Sequence, residues 1–403
     1  MRLFLTALLL SGAALAAPRS EEILKASDHK KIGKEVAAYW TAKQERKDIG
    51  ETFSKLASTV EKVDDKLKKK GGDVLTAVED WRSIFWVATA NALEDKKAKK
   101  GKVTTESGGV PFTYWVDKRY RPANGPLPLV LVVPNEGEKA EDAVTELSAT
   151  ALGTQSILVG VHMREFAGSW DSADAGIHVL KTLGTAVGKN MFGFDYDRIV
   201  LLGRGKGFAA ASSFAQQFTY LFAGLAGHGD IPMADPTNFS NLPTYVTGGG
   251  KGADFAKQVE TLGYGNCTNG GDAVDALASW ITEARRSAYP MEVTFAPASA
   301  QARSSYWLTA EGVDMDASPK VTATADPAAN KITIAATGVG ELRVFFNDRL
   351  ADLVKPVTVE INGKTHETTV TRKLRWMIDK AFTDGDWGRV FTAEASFEVT
   401  ETP

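Results

Sequence analysis

Apolar residues recur every three or four positions through the first quarter of the chain. Phe53, Leu56, Val60, Val63 and Leu67 fall on one helix face. Gly71 and Gly72 break the pattern, and Asp73 is placed to cap the next helix. Val74, Ala77, Val78, Trp81, Ile84, Phe85 and Ala88 then make a broad apolar stripe, and Val36, Tyr39 and Trp40 mark an earlier helix. Residues 18–100 therefore predict two or three helices joined by short turns. Such stripes are ordinarily packing surfaces.

From about residue 102 the period changes. Strands are expected at 103–106, 112–116 and 127–133, the last a continuous apolar run of the kind buried on both faces of a sheet. Further strands at 156–161, 198–202, 222–227, 243–247 and 291–295 alternate with helices at 173–188, 208–218, 253–262 and 272–286. That alternation predicts an α/β architecture, a mostly parallel sheet covered by helices. Beyond Pro297 the helices give way to short alternating strands at 320–325, 331–334, 341–346, 357–361, 365–370 and 391–399. Asn362-Gly363 is a strong hairpin turn, and one short helix is expected at 372–382. The expected division is a signal peptide at 1–17, a helical region at 18–100, an α/β domain at 101–300 and a small β-rich domain at 301–403, for which a sandwich is the natural form.

Composition changes this picture little. The chain has 403 residues, 43% hydrophobic and 24% charged, which is enough for two or three domains. A net charge of −3 gives no argument for nucleic acid, and the basic runs at 68–70 and 96–100 sit where helices should end. Arg2, the apolar stretch 3–15 and the small residues Ala14 and Ala16 form a secretory signal, cut near Ala16 or Ala17. The mature chain is expected to be secreted or periplasmic, with no integral membrane span. Cys267 is the single cysteine, so no internal disulfide supports the fold. It stands in a Gly- and Asn-rich run read as a loop and has no neighbouring signature of a nucleophile.

The candidate chemistry centres on Gly203-Arg204-Gly205-Lys206-Gly207, between a buried strand and a helix. Its outline is the nucleophile elbow G-x-S-x-G with glycine in place of serine. Together with 114–133, 199–211 and 222–228, this stretch resembles the α/β-hydrolase superfamily, chiefly secreted bacterial polyhydroxybutyrate-depolymerase-like, esterase-like or S9-peptidase-like members. Residues 347–353 and 355–364 resemble an accessory domain of some of these hydrolases. The resemblance implies a serine nucleophile, an oxyanion loop, an acid and a histidine. Here the nucleophile position is Gly205. The oxyanion stretch is Pro134-Asn135-Glu136-Gly137-Glu138, where proline lacks an N–H and two acids would repel an oxyanion. Asp254 follows the strand that the acid should follow. No histidine follows 291–295.

Other candidates stand outside the elbow. His228 is the histidine best placed near the carboxyl edge of the sheet and His162 is second, although each reads first as a loop or packing residue. Ser212 and Ser213 lie two turns into the helix after the elbow and read as helix positions. A dinucleotide fingerprint fails at Phe208, and phosphate loops fail at Gly207 and Gly252. Arg204 and Lys206, near a helix start, are candidates to hold an anion. No cofactor or metal is expected. The sequence thus points to a hydrolase-like chain without hydrolase chemistry, a pseudoenzyme binding an unknown small ligand or protein partner. The alternatives are an active esterase or peptidase using His228 and Asp254, and a structural envelope protein.

Overall fold

The computed structural model describes residues 22–94, 99–121, 125–164, 166–188, 193–247, 249–271, 273–299 and 302–400. The expected signal peptide and most of the second basic run lie outside them. Three helices open the described chain: α1 (Ala26–Glu45), α2 (Ile49–Lys68) and α3 (Val78–Glu94). Asp73 caps the short 3-10 turn before α3 by accepting from the Leu75 amide at 2.7 Å.

An α/β unit comes next. Its elements are β1 (Gly101–Ser107), β2 (Val110–Val116), β3 (Leu127–Val133), α4 (Ala140–Ser148), α5 (Leu152–Gln155), β4 (Ile157–Val161), α6 (Ala173–Gly188), β5 (Phe194–Arg204) and α7 (Gly207–Gln217). It ends with β6 (Gly224–His228), β7 (Thr244–Thr247), α8 (Lys251–Thr261), β8 (Cys267–Gly270) and α9 (Val274–Glu283). The eight strands lie in the order β1-β2-β4-β3-β5-β6-β7-β8. The β1–β2 and β2–β4 pairs are antiparallel and the rest parallel. This is the sheet of an α/β-hydrolase-like fold. The apolar run of β3 explains itself: Leu129, Leu131 and Val133 enter the core on one face, Val130 and Val132 the core on the other.

The remaining strands are β9 (Glu292–Phe295), β10 (Ser304–Ser305), β11 (Leu308–Val313), β12 (Lys320–Asp326), β13 (Lys331–Thr337), β14 (Val339–Phe346), β15 (Val357–Ile361) and β16 (Lys364–Thr368), then α10 (Leu374–Asp384) and β17 (Ala393–Glu398). They form a four-stranded sheet, β10-β11-β14-β17, and a five-stranded one, β16-β15-β13-β12-β9. The Asn362-Gly363 turn joins β15 to β16 with both residues at positive φ, 49° and 81°. The N-terminal helices share one apolar core with these two sheets: Val36, Leu56 and Phe85 belong to the same cluster as Ile332, Val344 and Ile378.

The structure corrects two expectations about strands. The run holding Cys267 is not a loop but β8, paired with β7 at the sheet edge. An edge strand on one neighbour needs no apolar alternation, so its Thr-Asn-Gly composition conceals it. The strand at 291–295 is not the last of the hydrolase-like sheet. As β9 it pairs antiparallel with β12, which carries Val293 and Phe295 into the core of the β-rich part.

Candidate functional site

β5 ends at Arg204 and α7 begins at Gly207, so the elbow is the tight turn between them. Three close approaches demand its glycines. A Cβ on Gly203 would strike the backbone of Phe208, and one on Gly207 would strike the carbonyls of Val133 and Pro134. Gly205 has a φ of +47°, the left-handed region that L side chains adopt only at a cost. A Cβ there would also collide with the side-chain carboxamide of Asn135. Position 205, which carries the nucleophile in the family this chain resembles, is thus enclosed by a neighbour.

Asn135 has no role legible in the sequence. In the structure its Oδ1 accepts from the Lys206 amide at 2.9 Å and from the Glu136 amide at 2.8 Å. In a hydrolase the amide after the nucleophile and one from the loop after β3 together hold the oxyanion. Both donors exist here, and both point at one carboxamide oxygen. Pro134 itself offers no N–H, as expected from its chemistry, but it is not the residue that donates. The proline precedes the donating residue by two positions, and Glu136 supplies the N–H.

The two elbow cations hold the same loop. Arg204 meets Glu138 through Nε and Nη2, each at 3.1 Å, and Nη2 also reaches Glu146 at 2.8 Å. Lys206 pairs with Glu136 at 2.7 Å. Glu138 in turn accepts from the Asn135 amide at 2.8 Å. The forked Arg204–Glu138 contact, mostly shielded from water, is the stronger of the two; the Lys206–Glu136 pair is exposed and contributes little. The chain's own carboxylates pair with both Arg204 and Lys206, while Arg204 Nη1 is buried without a hydrogen-bond partner.

The other candidates do not assemble around position 205. His228 ends β6, and what it brings to the elbow is its backbone carbonyl, which accepts from the Gly205 amide at 2.8 Å. Asp254 is exposed in the first turn of α8. Among the described residues no hydrogen bond or ion pair joins the two. Gly249 and Gly250, not an acid, lead from β7 into α8. The true last strand of the sheet is β8, and the sequence after it, Gly271-Asp272-Ala273, has no histidine. His162 shares a hydrogen bond with Thr113 Oγ1 at 3.0 Å. Ser213 donates to the Ser172 carbonyl at 2.8 Å, and Ser212 is buried within α7. Burial pushes the Cys267 thiol up, which disfavours the thiolate that nucleophilic attack requires. No group of three His, Cys, Asp or Glu side chains with metal-binding geometry occurs among the described residues.

No family model matches the chain, and no curated protein matches it. Solved structures similar to it include esterases and a hormone-sensitive lipase. A thermostable esterase is 15% identical, with 46% of this chain and 57% of that one covered and a TM-score of 0.34. Est1E from Butyrivibrio proteoclasticus is 12% identical, covering 46% and 96%, with a TM-score of 0.33. An esterase from Pyrobaculum calidifontis is 17% identical, covering 52% and 93%, with a TM-score of 0.33. The chain thus spans little more than half the length of the thermostable esterase. At these scores the likeness is partial, and the α/β-hydrolase-like fold rests on the strand order and connections of the sheet itself.

Proposed function

We propose that this is a non-catalytic α/β-hydrolase-like protein, exported to the periplasm or beyond, that binds a ligand or a partner. One observation carries the reading: the Asn135 carboxamide oxygen takes both amides that an oxyanion would need, directly against a Gly205 that has no side chain to attack. Preorganised donors accelerate acyl transfer only when they are free to receive the charge developing in the transition state. Donors already satisfied by an internal acceptor, with no nucleophile beside them, supply neither half of the chemistry. Export rests on the sequence of residues 1–17. Among the described residues no helix is long and apolar enough to cross a membrane.

Purified mature chain, offered short-chain p-nitrophenyl esters and a fluorophosphonate probe, is expected to give neither turnover above buffer nor labelling. Turnover that survives Asn135→Ala and Gly205→Ala and is lost in His228→Ala would overturn the proposal and favour an active hydrolase with a different constellation.

A further inference from the structure

A cavity of about 460 Å³ lies where the three parts of the chain meet. That is within the range of small-molecule sites. It opens at the amino end of β5, beside Phe194, whereas the elbow follows the carboxyl end, roughly 30 Å away along the strand. It is therefore separate from the elbow, and what it binds is independent of whether position 205 does chemistry.

The lining comes from three directions. Glu79, Arg82, Ser83 and Trp86 are spaced at i, i+3, i+4 and i+7, so α3 presents them on a single face. β5 contributes Phe194, Asp195 and Tyr196 from its first residues, and the β-rich part contributes Trp387. Tyr196 lies 4.6 Å from Phe194 and 5.3 Å from Trp387, centroid to centroid, which joins three rings into one wall. Trp86 adds a fourth aromatic ring from α3, stacked on no other described aromatic ring.

The charges on this cavity are not balanced by use. The one cation among its described lining residues, Arg82, is spent: it pairs with Asp197 and with Glu79 at 3.2 Å. Glu79 is satisfied as well, since Arg349 reaches it at 2.6 Å. Two lining carboxylates remain outside any ion pair among the described residues. Asp195 accepts the Asp197 amide at 3.0 Å, and Glu22 accepts the Ser83 hydroxyl. Arg198 feels the charge of Asp195 but directs a donor to the Thr282 carbonyl at 3.1 Å. Aromatic faces with unspent carboxylates favour a positive guest, held by the ring quadrupoles and by the acids together.

We propose that the junction cavity binds a small organic cation, an amine or quaternary ammonium carrying an apolar body. The test compares choline with 3,3-dimethylbutan-1-ol, which has the same shape and no charge. Each is titrated into the full mature chain by calorimetry and by tryptophan fluorescence at low salt. Choline is expected to bind saturably and at least about tenfold more tightly than the alcohol. Trp86→Ala and Asp195→Asn, both at partly exposed positions, are each expected to weaken choline about fivefold or more while circular dichroism and the melting temperature stay at parental values. Equal affinity for the two compounds, no saturable binding of choline, or choline affinity unchanged in both variants would each overturn the assignment.

Discussion

At the scale of single residues, Gly205 is a position whose identity two separate constraints require. Its φ of +47° disfavours any side chain, and the Asn135 carboxamide fills the space a Cβ would take. The first constraint is legible in the sequence, because a glycine at an elbow tip relaxes a conformation that a catalytic serine would hold under strain. The second is not. Asn135 and Lys206 are 71 positions apart, and nothing in a Pro-Asn-Glu-Gly-Glu run tells where one carboxamide will turn. Gly205→Ser is expected to destabilise the chain by about 2 kcal/mol, from backbone strain and the collision together. Asn135→Gly removes the collision but not the strain, and its own cost is the two hydrogen bonds that Asn135 Oδ1 accepts. In the double variant the loss should fall short of the sum of the singles by at least about 0.5 kcal/mol, measured from urea midpoints at constant slope. A serine at 205 that leaves the midpoint unchanged would show that the turn has slack the geometry does not suggest.

Among the elements, pattern strength decides what can be read. Helices with long apolar stripes and strands buried on two faces are visible, as α2, α3 and β3 show. The short helix α4, only nine residues long, leaves no comparable signature, and β8 and β9 read as something other than they are. Periodicity reports which face of an element is buried but not which sheet it joins, so β9 resembles one more strand of the α/β series. The packing of α1 on α10 is equally out of reach, since its partners are more than 330 positions apart. There Tyr39 donates to Asp379 at 2.8 Å, Lys43 reaches the same carboxylate at 2.6 Å, and Trp40 Nε1 donates to the Ile378 carbonyl at 3.3 Å. Burial first, and then the Asp379 hydrogen bond and charge, push Tyr39 up to about 12. Between the ordinary phenol value and that one the folded chain holds a proton the unfolded chain releases. Stability therefore falls as pH rises from about 10 to 12. Tyr39→Phe should flatten that part of the profile while leaving other buried tyrosines to shape the rest, which melting curves taken across the interval would reveal. An unaltered slope would mean that α1 lifts from α10 before the phenol titrates.

Across the whole molecule, one buried ionic cluster ties the three parts together. Arg286, which follows α9, grips Asp386 through Nη1 at 2.7 Å and Nη2 at 3.0 Å, and holds Asp197 of β5 at 2.9 Å. Arg389 adds a contact to Asp386 at 2.7 Å, and Arg82 of α3 completes the ring through Asp197. Gly388 has no side chain because a Cβ would strike Arg286 and Asp197. Burial alone would raise the Asp386 carboxyl; the two guanidiniums reverse that and hold it far below the usual carboxylate range. A depressed carboxylate stabilises the fold above its ordinary pKa and loses that contribution as pH falls from there through the folded value, so the cluster weakens only in strong acid. Whether such a cluster adds net stability over apolar packing is a separate matter from what happens when it is broken. Removing one partner leaves a buried charge poorly compensated: Asp386→Asn strands Arg389 and leaves Arg286 with Asp197 alone. The expected cost is about 3–5 kcal/mol, with the acid dependence of stability reduced in the same variant. Because the helices and the β-rich sheets share a core that this cluster fastens to β5, the loss should spread. Parental chain is expected to melt in one transition, and Asp386→Asn to melt earlier with the α/β unit separating from the rest as a second transition. A single transition at parental temperature in calorimetry would show that apolar contacts alone join the parts, and that the cluster sits at their junction without holding it.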